Sequence, residues 1–218
     1  MSKNHEICYL TSPRRLFSLE HLECFVTVAV IANSKATMGN NFSLSSFPQL
    51  ETERLLLRET TLKDAEAIFS VFSDLAVTQF HDLDTFTSIE EAIAVIERRA
   101  KQFERGDGIR WGIAHKQDNI LIGSCGLRWN TQEPSAEVGY ELASTFWRQG
   151  IMTEAVRTIL QFGFKKMGLR FVIAQVMLDN IASKKLLKKL GFQSQGVLKQ
   201  CGFFKGQYHD LEQFVLTK

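Results

Sequence analysis

The sequence predicts a mixed α/β fold in which a twisted sheet is flanked by helices. Between residues 152 and 167 apolar side chains recur at intervals of three and four, which is the period of one buried helix face. Strand-like runs lie before and after this helix, at residues 136–142 and 170–178. A helix between two strands implies a parallel crossover. Hairpin signals elsewhere in the chain add antiparallel strands.

The helical period, and the alternation of side chains that is typical of strands, also predict the other elements. Alternating or β-branched residues predict five more strands, at residues 54–59, 109–115, 120–128, 193–204 and 207–216. Polar caps predict three more helices, which begin after Thr61, Ser88 and Asn180, the last two ending at Gly106 and Gly191. Tight turns at residues 116–119 and 205–206 join four of the strands into two hairpins.

The strand at residues 136–142 carries an unusual face. Side chains alternate along a strand, so Glu137, Gly139 and Glu141 share one side and the apolar residues share the other. Two carboxylates that flank a glycine are uncommon on a face that only packs. The glycine lets backbone and ligand come close, which makes this face a candidate part of a functional site.

The helix between the two parallel strands begins at or just after Gly150. The first turn of a helix has backbone N–H groups without helical partners, and a glycine there leaves room for an anion to approach them. An ordinary strand-to-helix connection would place a glycine in the same position, so this stretch alone leaves both interpretations open. Gly168 is the expected C-cap.

Composition narrows the classes of partner. The 218 residues include 26 basic and 24 acidic side chains, and the net charge of +2 gives no reason to expect a nucleic-acid or membrane partner. No apolar run reaches the ~18 residues of a membrane-spanning helix. The 4 cysteines lack the spacing of a metal site or a disulfide framework. This pattern predicts no metal and is typical of a cytoplasmic protein with reduced thiols.

Residues 1–47 differ from the rest and are predicted to be an extension of unknown role, outside a domain of residues 48–218. Their apolar segment lies late for a secretory signal, and Glu20 and Glu23 interrupt its start. The first helix of a LysR-type regulator is another interpretation, but no recognition helix follows it. Met38 would make a natural start for the domain.

Four separated motifs resemble those of one enzyme family. They are the strand at residues 136–140, the loop and helix start at residues 147–155, the helix start at residues 180–183 and the helix end at residues 190–192. In this order and spacing they resemble the GNAT acetyltransferases, most closely the RimJ/RimL-type branch that acetylates N-terminal amines of ribosomal proteins. The resemblance covers residues 48–218, because residues 50–55 look like the opening of that branch and residues 206–210 like its closing strand.

The resemblance implies a fold and a cofactor. The fold is the GNAT acyl-CoA N-acyltransferase fold, a twisted and mostly antiparallel sheet with a splayed parallel pair. The cofactor is acetyl-CoA, whose pyrophosphate would lie on the backbone N–H groups of Arg148, Gln149, Gly150, Ile151, Met152 and Thr153. Its pantetheine arm would run between the strand that ends at Leu142 and the strand that starts at Arg170, with a strand N–H near Tyr140 facing the thioester oxygen.

Four lysines of the last predicted helix offer a further cofactor contact. One of them, with Lys185 as the candidate, would meet the 3′-phosphate of coenzyme A; the four are Lys184, Lys185, Lys188 and Lys189. A solvated helix face is the simpler explanation of the same four residues, and both interpretations stay open.

The sequence departs from the wider family in the loop and at one catalytic position. Trp147 and Met152 stand where Gln or Arg and Gly or Ala are usual, substitutions that the RimJ/RimL-type branch tolerates. Leu187 occupies the position, seven residues after Asn180, of a tyrosine that serves many members as general acid. Ser183, or a water held by it, is the remaining candidate to help the thiolate leave, although serine is also common in a first helical turn.

The resemblance implies transfer of an acetyl group from acetyl-CoA to a primary amine, by direct attack in a ternary complex. Glu137 would take the amine proton, and Asn180 and Ser183 would complete the catalytic set. A protein N-terminus is the first-choice acceptor. A polyamine, an amino acid or an amine-bearing antibiotic is the alternative, and a non-catalytic acyl-CoA-binding regulatory module is a further one.

The residues that bind the acceptor amine are the part of the site that the sequence determines least. The loop at residues 79–86 contains His81, Asp82 and Asp84, and in the family this neighbourhood helps to shape the acceptor site. An ordinary solvated polar loop would have the same composition. The sequence leaves monomer and homodimer both open.

Overall fold

The computed structural model describes residue 44 and residues 46–129 and 133–218. Within them eight strands form one sheet: β1 Leu50–Glu51, β2 Leu55–Arg58, β3 Gly108–His115, β4 Leu121–Trp129, β5 Ser135–Leu142, β6 Phe171–Met177, β7 Gln193–Phe204 and β8 Gln207–Thr217. The described helices are α1 Ala65–Phe72, α2 Leu75–Thr78, α3 Ile89–Arg105, α4 Ile151–Lys165 and α5 Ile181–Lys189, with short 3-10 helices at Leu62–Asp64 and Ser144–Phe146. The interpretations placed on residues 1–43 lie outside the described residues.

The sheet has the strand order β1-β2-β3-β4-β5-β6-β8-β7. Every neighbouring pair is antiparallel except β5 and β6, which α4 connects, so the predicted crossover and mixed sheet are confirmed. The parallel pairing begins at Ser135 opposite Phe171 and stops at Glu137 opposite Ile173. Beyond that point β5 and β6 no longer pair with each other. We call this opening between the ends of β5 and β6 the splay.

Two apolar clusters stabilise the sheet and its helices. The larger packs α4 on the sheet and includes Val156, Ile159 and Trp111, which are fully buried. The smaller joins α1 to α3 and includes Phe72 and Val95. Burial of each such side chain contributes about 1.5–3 kcal/mol. None of the described helices is both long and apolar enough to cross a membrane.

The chain joins the larger cluster just before β1. The ring of Phe47 packs on Phe103 and Trp111, with centroid distances of 5.1 and 6.1 Å. The indole N–H of Trp111 donates to the Pro48 carbonyl at 2.6 Å, and Leu44 also packs against this cluster. The packing of the domain therefore involves residues from Leu44 onward.

Four of the predicted helix caps are confirmed. Ser88 and left-handed Gly106 bound α3. Gly150 is the N-cap of α4. Asn180 caps α5 by accepting the N–H of Ser183 at 3.0 Å. These caps set the start of α4 and of α5, the two helices that flank the functional site.

Three details differ from the prediction. α4 ends at Lys165, and the expected cap Gly168 instead adopts a left-handed conformation in the turn beyond the helix. The apolar pattern of the helix after Asn180 also predicts that Ile181 points inward, but this residue is 54% exposed because it is the first residue of α5, outside the stretch that packs on the core through Leu187. The sequence does not predict α2, since four residues are too few to show a helical period.

Candidate functional site

The N-terminus of α4 faces open space. Its N-cap, Gly150, has a φ of 78°, and Arg148 in the preceding loop has a φ of 61°. A Cβ built on Gly150 would meet nothing closer than the guanidinium of Arg54, at 3.7 Å. The first-turn N–H groups have no helical partners, and the helix dipole makes this end positive. The geometry therefore suits an anion that approaches the backbone closely.

Arg54, one residue before β2, holds the loop that leads into α4. Its Nη1 donates to the Gln149 carbonyl at 3.1 Å, and its Nε donates to Glu154 of α4 at 2.8 Å. Glu154 also accepts from the Thr52 hydroxyl at 2.5 Å. We call these four residues the loop clamp. The sequence analysis missed it because its partners lie 95 to 102 positions apart. The acidic residue in the first helical turn was the available signal.

A cleft of about 500 Å³ adjoins the start of α4. Gly150, Thr153 and Arg157 line it from α4, and Lys189 lines it from α5. A different lysine of α5, Lys184, forms an ion pair with Glu212 at 2.6 Å. The phosphate contact expected of Lys185 stays a prediction.

A pair of hydroxyl groups bridges the splay. The hydroxyl oxygen of Tyr140 on β5 lies 2.6 Å from that of Ser183 in the first turn of α5. Burial raises the pKa of Tyr140 to about 12, so the phenol is neutral at neutral pH. Leu187, at the position where the family pattern has a tyrosine, is fully buried in the apolar core. The contact of the Tyr140 side chain was not predicted, because no sequence pattern links residues 43 positions apart.

Glu137 lies at the last paired position of β5, where the splay begins. Its side chain is 39% exposed and forms an ion pair with Arg128 of β4 through Oε2. The other carboxylate oxygen, Oε1, has no hydrogen-bond partner among the residues that the structure describes. The carboxylate is therefore held on one side by Arg128 and partly exposed on the other.

Glu141 shares this face of β5 but is buried. Its carboxylate accepts from Arg99 of α3 at 2.9 Å and from Arg110 and Ser124, and it lies 3.7 Å from a ring nitrogen of His81. Burial alone would raise the pKa of this carboxyl group, but the charges of the two arginines hold it well below its usual range. Two carboxylates that look equivalent in the sequence therefore differ in role, and Glu141 is a structural anchor.

The loop after α2 lies beside this anchor. Within it, His81 forms an ion pair with Asp82 at 2.8 Å. The hydrogen bond from His81 lowers the pKa of Asp82 to about 2. Lys205, in the turn between β7 and β8, donates to the Thr78 carbonyl at the end of α2 at 2.6 Å. The loop and the tip of the hairpin thus border the side of the sheet that carries Glu137.

Glu141→Gln is expected to destabilise the protein by about 3–5 kcal/mol, because it leaves Arg99 and Arg110 without their buried counter-charge. Urea unfolding followed by circular dichroism would measure the change. Glu51→Gln is the matched control, since Glu51 forms an exposed ion pair with Lys116 that contributes little. A Glu141→Gln protein as stable as the unaltered one would contradict the anchoring role.

The predicted site residues fall into two neighbouring groups. Residues 148–153 form the loop and first turn at the start of α4; Ile151 and Met152 are buried there, so only their backbone N–H groups remain candidates to contact a ligand. Tyr140 and Ser183 meet at the splay, with Glu137 where it begins. Among the described residues, no cluster of His, Cys, Asp and Glu side chains is arranged to hold a metal ion.

A parallel pair that splays beside a helix start suited to an anion is the arrangement that the resemblance to acyl-CoA N-acyltransferases predicted. The chain belongs to the GNAT acetyltransferase family, since the family profile described as "Acetyltransferase (GNAT) domain" matches residues 54–193. The protein is therefore an acetyltransferase with the GNAT fold.

Named relatives agree with this assignment. The "Uncharacterized N-acetyltransferase YoaA" of Bacillus subtilis (strain 168) is 41% identical over 173 residues, which cover 79% of this chain and 98% of YoaA. The "Ribosomal-protein-serine acetyltransferase" of Escherichia coli (strain K12) is 29% identical over 102 residues, 45% of this chain and 56% of that enzyme. These relatives include the RimJ/RimL-type branch that the sequence resembles.

A solved structure of RimL, described as a ribosomal L7/L12 alpha-N-protein acetyltransferase in complex with coenzyme A, has the same fold. It matches with a TM-score of 0.70 at 23% identity, over 78% of this chain and 98% of RimL. This match confirms the predicted fold class.

Proposed function

We propose that this protein transfers the acetyl group of acetyl-CoA to a primary amine, with a protein N-terminus as the first-choice acceptor. The observation that carries the proposal is the open start of α4 beside the splay. The helix start supplies donors for a pyrophosphate, and the splay is a place where a pantetheine arm can enter the sheet. The residues present fit acetyl-CoA, because the glycine N-cap leaves space where a side chain would otherwise stand.

Donor binding uses backbone and charge together in this proposal. The N–H groups of residues 148–153 hold the pyrophosphate, and the positive end of the helix dipole favours it. Arg54 adds a cation 3.7 Å from the Cβ position of Gly150, and Arg157 and Lys189 line the adjoining cleft. The carboxylates of Glu51, Glu53 and Glu154 line the same cleft, and Glu154 is paired with Arg54, so the backbone N–H groups and the helix dipole are the main attraction for the phosphates.

The reaction needs a base because an α-amino group, with a pKa of about 7.7–8.0, is mostly protonated at pH 7. Glu137 takes this proton, directly or through a water, and the neutral nitrogen attacks the thioester carbon. A backbone N–H near Tyr140 stabilises the developing oxyanion. Ser183, positioned by the capping contact with Asn180, then assists the departure of the sulfur.

The acceptor is inferred from the named relatives and from the site. RimL is described as acting on the N-terminus of a ribosomal protein, and the E. coli relative on a ribosomal-protein serine. The loop after α2 and the tip of the β7–β8 hairpin border the side of Glu137 from which an acceptor would approach. An N-terminal chain end is narrow and extended, so it can reach Glu137 past the loop after α2 and the hairpin tip.

A single panel tests the acceptor. Release of coenzyme A is measured with acetyl-CoA and peptides with free N-termini, the same peptides with formylated N-termini, and a set of polyamines, amino acids and amine-bearing antibiotics. We expect release with the free peptides and none with the formylated ones. Release with small amines alone would overturn the acceptor class, and donor binding without release would indicate a non-catalytic acyl-CoA-binding module.

We further propose that residues 48–218 contain the catalytic machinery, that Leu44 and Phe47 belong to its packing, and that the part of the extension before them is not needed for catalysis. A chain that begins at Met38 keeps Leu44 and Phe47, which pack on the core. It should melt cooperatively and release coenzyme A at the rate of the full chain. Loss of the cooperative transition would show that the extension is part of the folded domain.

A further inference from the structure

We infer that the hydroxyls of Tyr140 and Ser183 act as one hydrogen-bond donor toward the leaving sulfur of coenzyme A, with Tyr140 as the residue that positions and polarises Ser183. The inference rests on the proposed function and adds to it a role for a side chain that the resemblance invokes only through its backbone. The 2.6 Å contact across the splay is the observation that carries it.

Both members of the pair are held by regular structure. Tyr140 lies in β5 opposite Cys125 of β4, and its ring packs against the larger apolar cluster. Ser183 is fixed in the first turn of α5, where its N–H donates to the Asn180 side chain at 3.0 Å. A strand and a helix cap therefore present the two hydroxyls to each other, so the contact does not depend on a mobile loop.

A count of protons shows that the pair can still donate. Two hydroxyl groups carry two protons, and their mutual hydrogen bond uses one of them. Among the residues that the structure describes, the second proton has no acceptor outside the pair. A sulfur that gains negative charge as the C–S bond breaks would be such an acceptor. Hydrogen bonds in a chain polarise one another, so a donor that itself accepts a bond donates more strongly.

The reaction balances without a proton from the pair. The ammonium proton passes to Glu137 and from there to solvent; the nitrogen then forms the C–N bond and loses a second proton to the regenerated Glu137 carboxylate, while the C–S bond breaks and its electron pair stays on sulfur as the thiolate. An unperturbed thiol has a pKa of about 8.5, and burial raises the pKa of Tyr140 to about 12. The phenol therefore keeps its proton and donates it in the hydrogen bond to Ser183, whose own hydroxyl stabilises the thiolate by hydrogen bonding. Leu187 stands where many family members have a tyrosine and cannot donate a hydrogen bond. The Tyr140–Ser183 pair supplies the donor instead.

The first test titrates the thiol of bound coenzyme A through the ultraviolet absorbance of the thiolate, in the unaltered protein and in Tyr140→Phe. A hydrogen bond to a charged group corresponds to about one to two pKa units. We expect Tyr140→Phe to bind coenzyme A with unchanged affinity by calorimetry, to raise the pKa of the bound thiol by about one unit and to lower kcat about 10-fold. Tyr208→Phe, at an exposed tyrosine of β8, is the matched control and should leave the affinity, the pKa of the bound thiol and kcat unchanged.

The second test asks whether the two hydroxyls act as a unit. Ser183→Ala and the double variant are measured beside Tyr140→Phe, and the double variant should lose no more activity than the worse single one. Multiplied losses, or an unchanged thiol pKa in Tyr140→Phe, would overturn the inference while leaving the proposed function in place. An unaltered protein that fails to bind coenzyme A would instead overturn the proposed function and the inference with it.

Discussion

Gly150→Asp should reduce the affinity for acetyl-CoA by about 100- to 1000-fold while the protein stays folded. Like charges ~4 Å apart near a protein surface repel by roughly 4 kcal/mol, and a carboxylate at the N-cap of α4 would stand where the pyrophosphate is proposed to bind. Asp is also among the residues that tolerate a positive φ, so the N-cap conformation should survive. Isothermal calorimetry with acetyl-CoA measures the loss.

Two variants separate charge from backbone strain at this position. Gly150→Asn adds similar bulk without the charge and should lose much less affinity than Gly150→Asp. Gly168→Asp introduces the same residue at a φ of 73° with nothing within 4 Å of its Cβ, beyond the other end of α4. It should bind acetyl-CoA normally. Unchanged affinity in a folded Gly150→Asp protein would show that the start of α4 does not hold the donor.

Glu137→Gln should lower turnover near pH 7 by about 10²- to 10⁴-fold, the usual contribution of a positioned general base. Part of the loss should be recovered at high pH, because the acceptor amine then loses its proton to solvent. Affinity for acetyl-CoA should stay nearly intact, since Glu137 lies on the face of β5 opposite the apolar core that supports α4. The experiment is a pH–rate profile with the acceptor identified by the panel, together with donor calorimetry.

Arg128→Gln is the control variant for Glu137→Gln, because it removes the ion pair and keeps the carboxylate. If Glu137 matters only as the ion-pair partner of Arg128, both variants should lose activity equally. With Glu137 as the base, Arg128→Gln keeps most of its turnover. Glu141 is a poor substitute base, because its carboxylate is already bonded to Arg99, Arg110 and Ser124. Full activity of Glu137→Gln at pH 7 would therefore point to a water chain and contradict the assignment.

Local signals account for the parts of the fold that the sequence predicts. Helical period, polar caps and turn residues act within a few positions, so the bounds of α3, the start of α4 at Gly150 and the cap at Asn180 follow from nearest neighbours. The crossover between β5 and β6 follows from the length of the connection. These features determine where the start of α4 and the loop that leads into it lie.

The unpredicted parts depend on contacts between distant residues. Alternation places Glu137 and Glu141 on one face, but Arg99 is 42 positions from Glu141, and its approach buries one carboxylate and leaves the other open. The loop clamp through Arg54 spans 95 positions or more. No local period encodes either contact, because each requires the sheet to be assembled first.

The position of β8 in the sheet links the site to the order of synthesis. β8 is the last described strand along the chain, yet it lies between β6 and β7, and its residues from Leu211 to Thr217 pair with the whole of β6. Beyond Ile173, β8 is the strand that holds β6 on the side away from the splay. A growing chain therefore cannot fix that wall of the splay until residues 207–217 have been made. Nascent chains that stop before this strand should be unable to turn over acetyl-CoA, even though every proposed catalytic residue is already present.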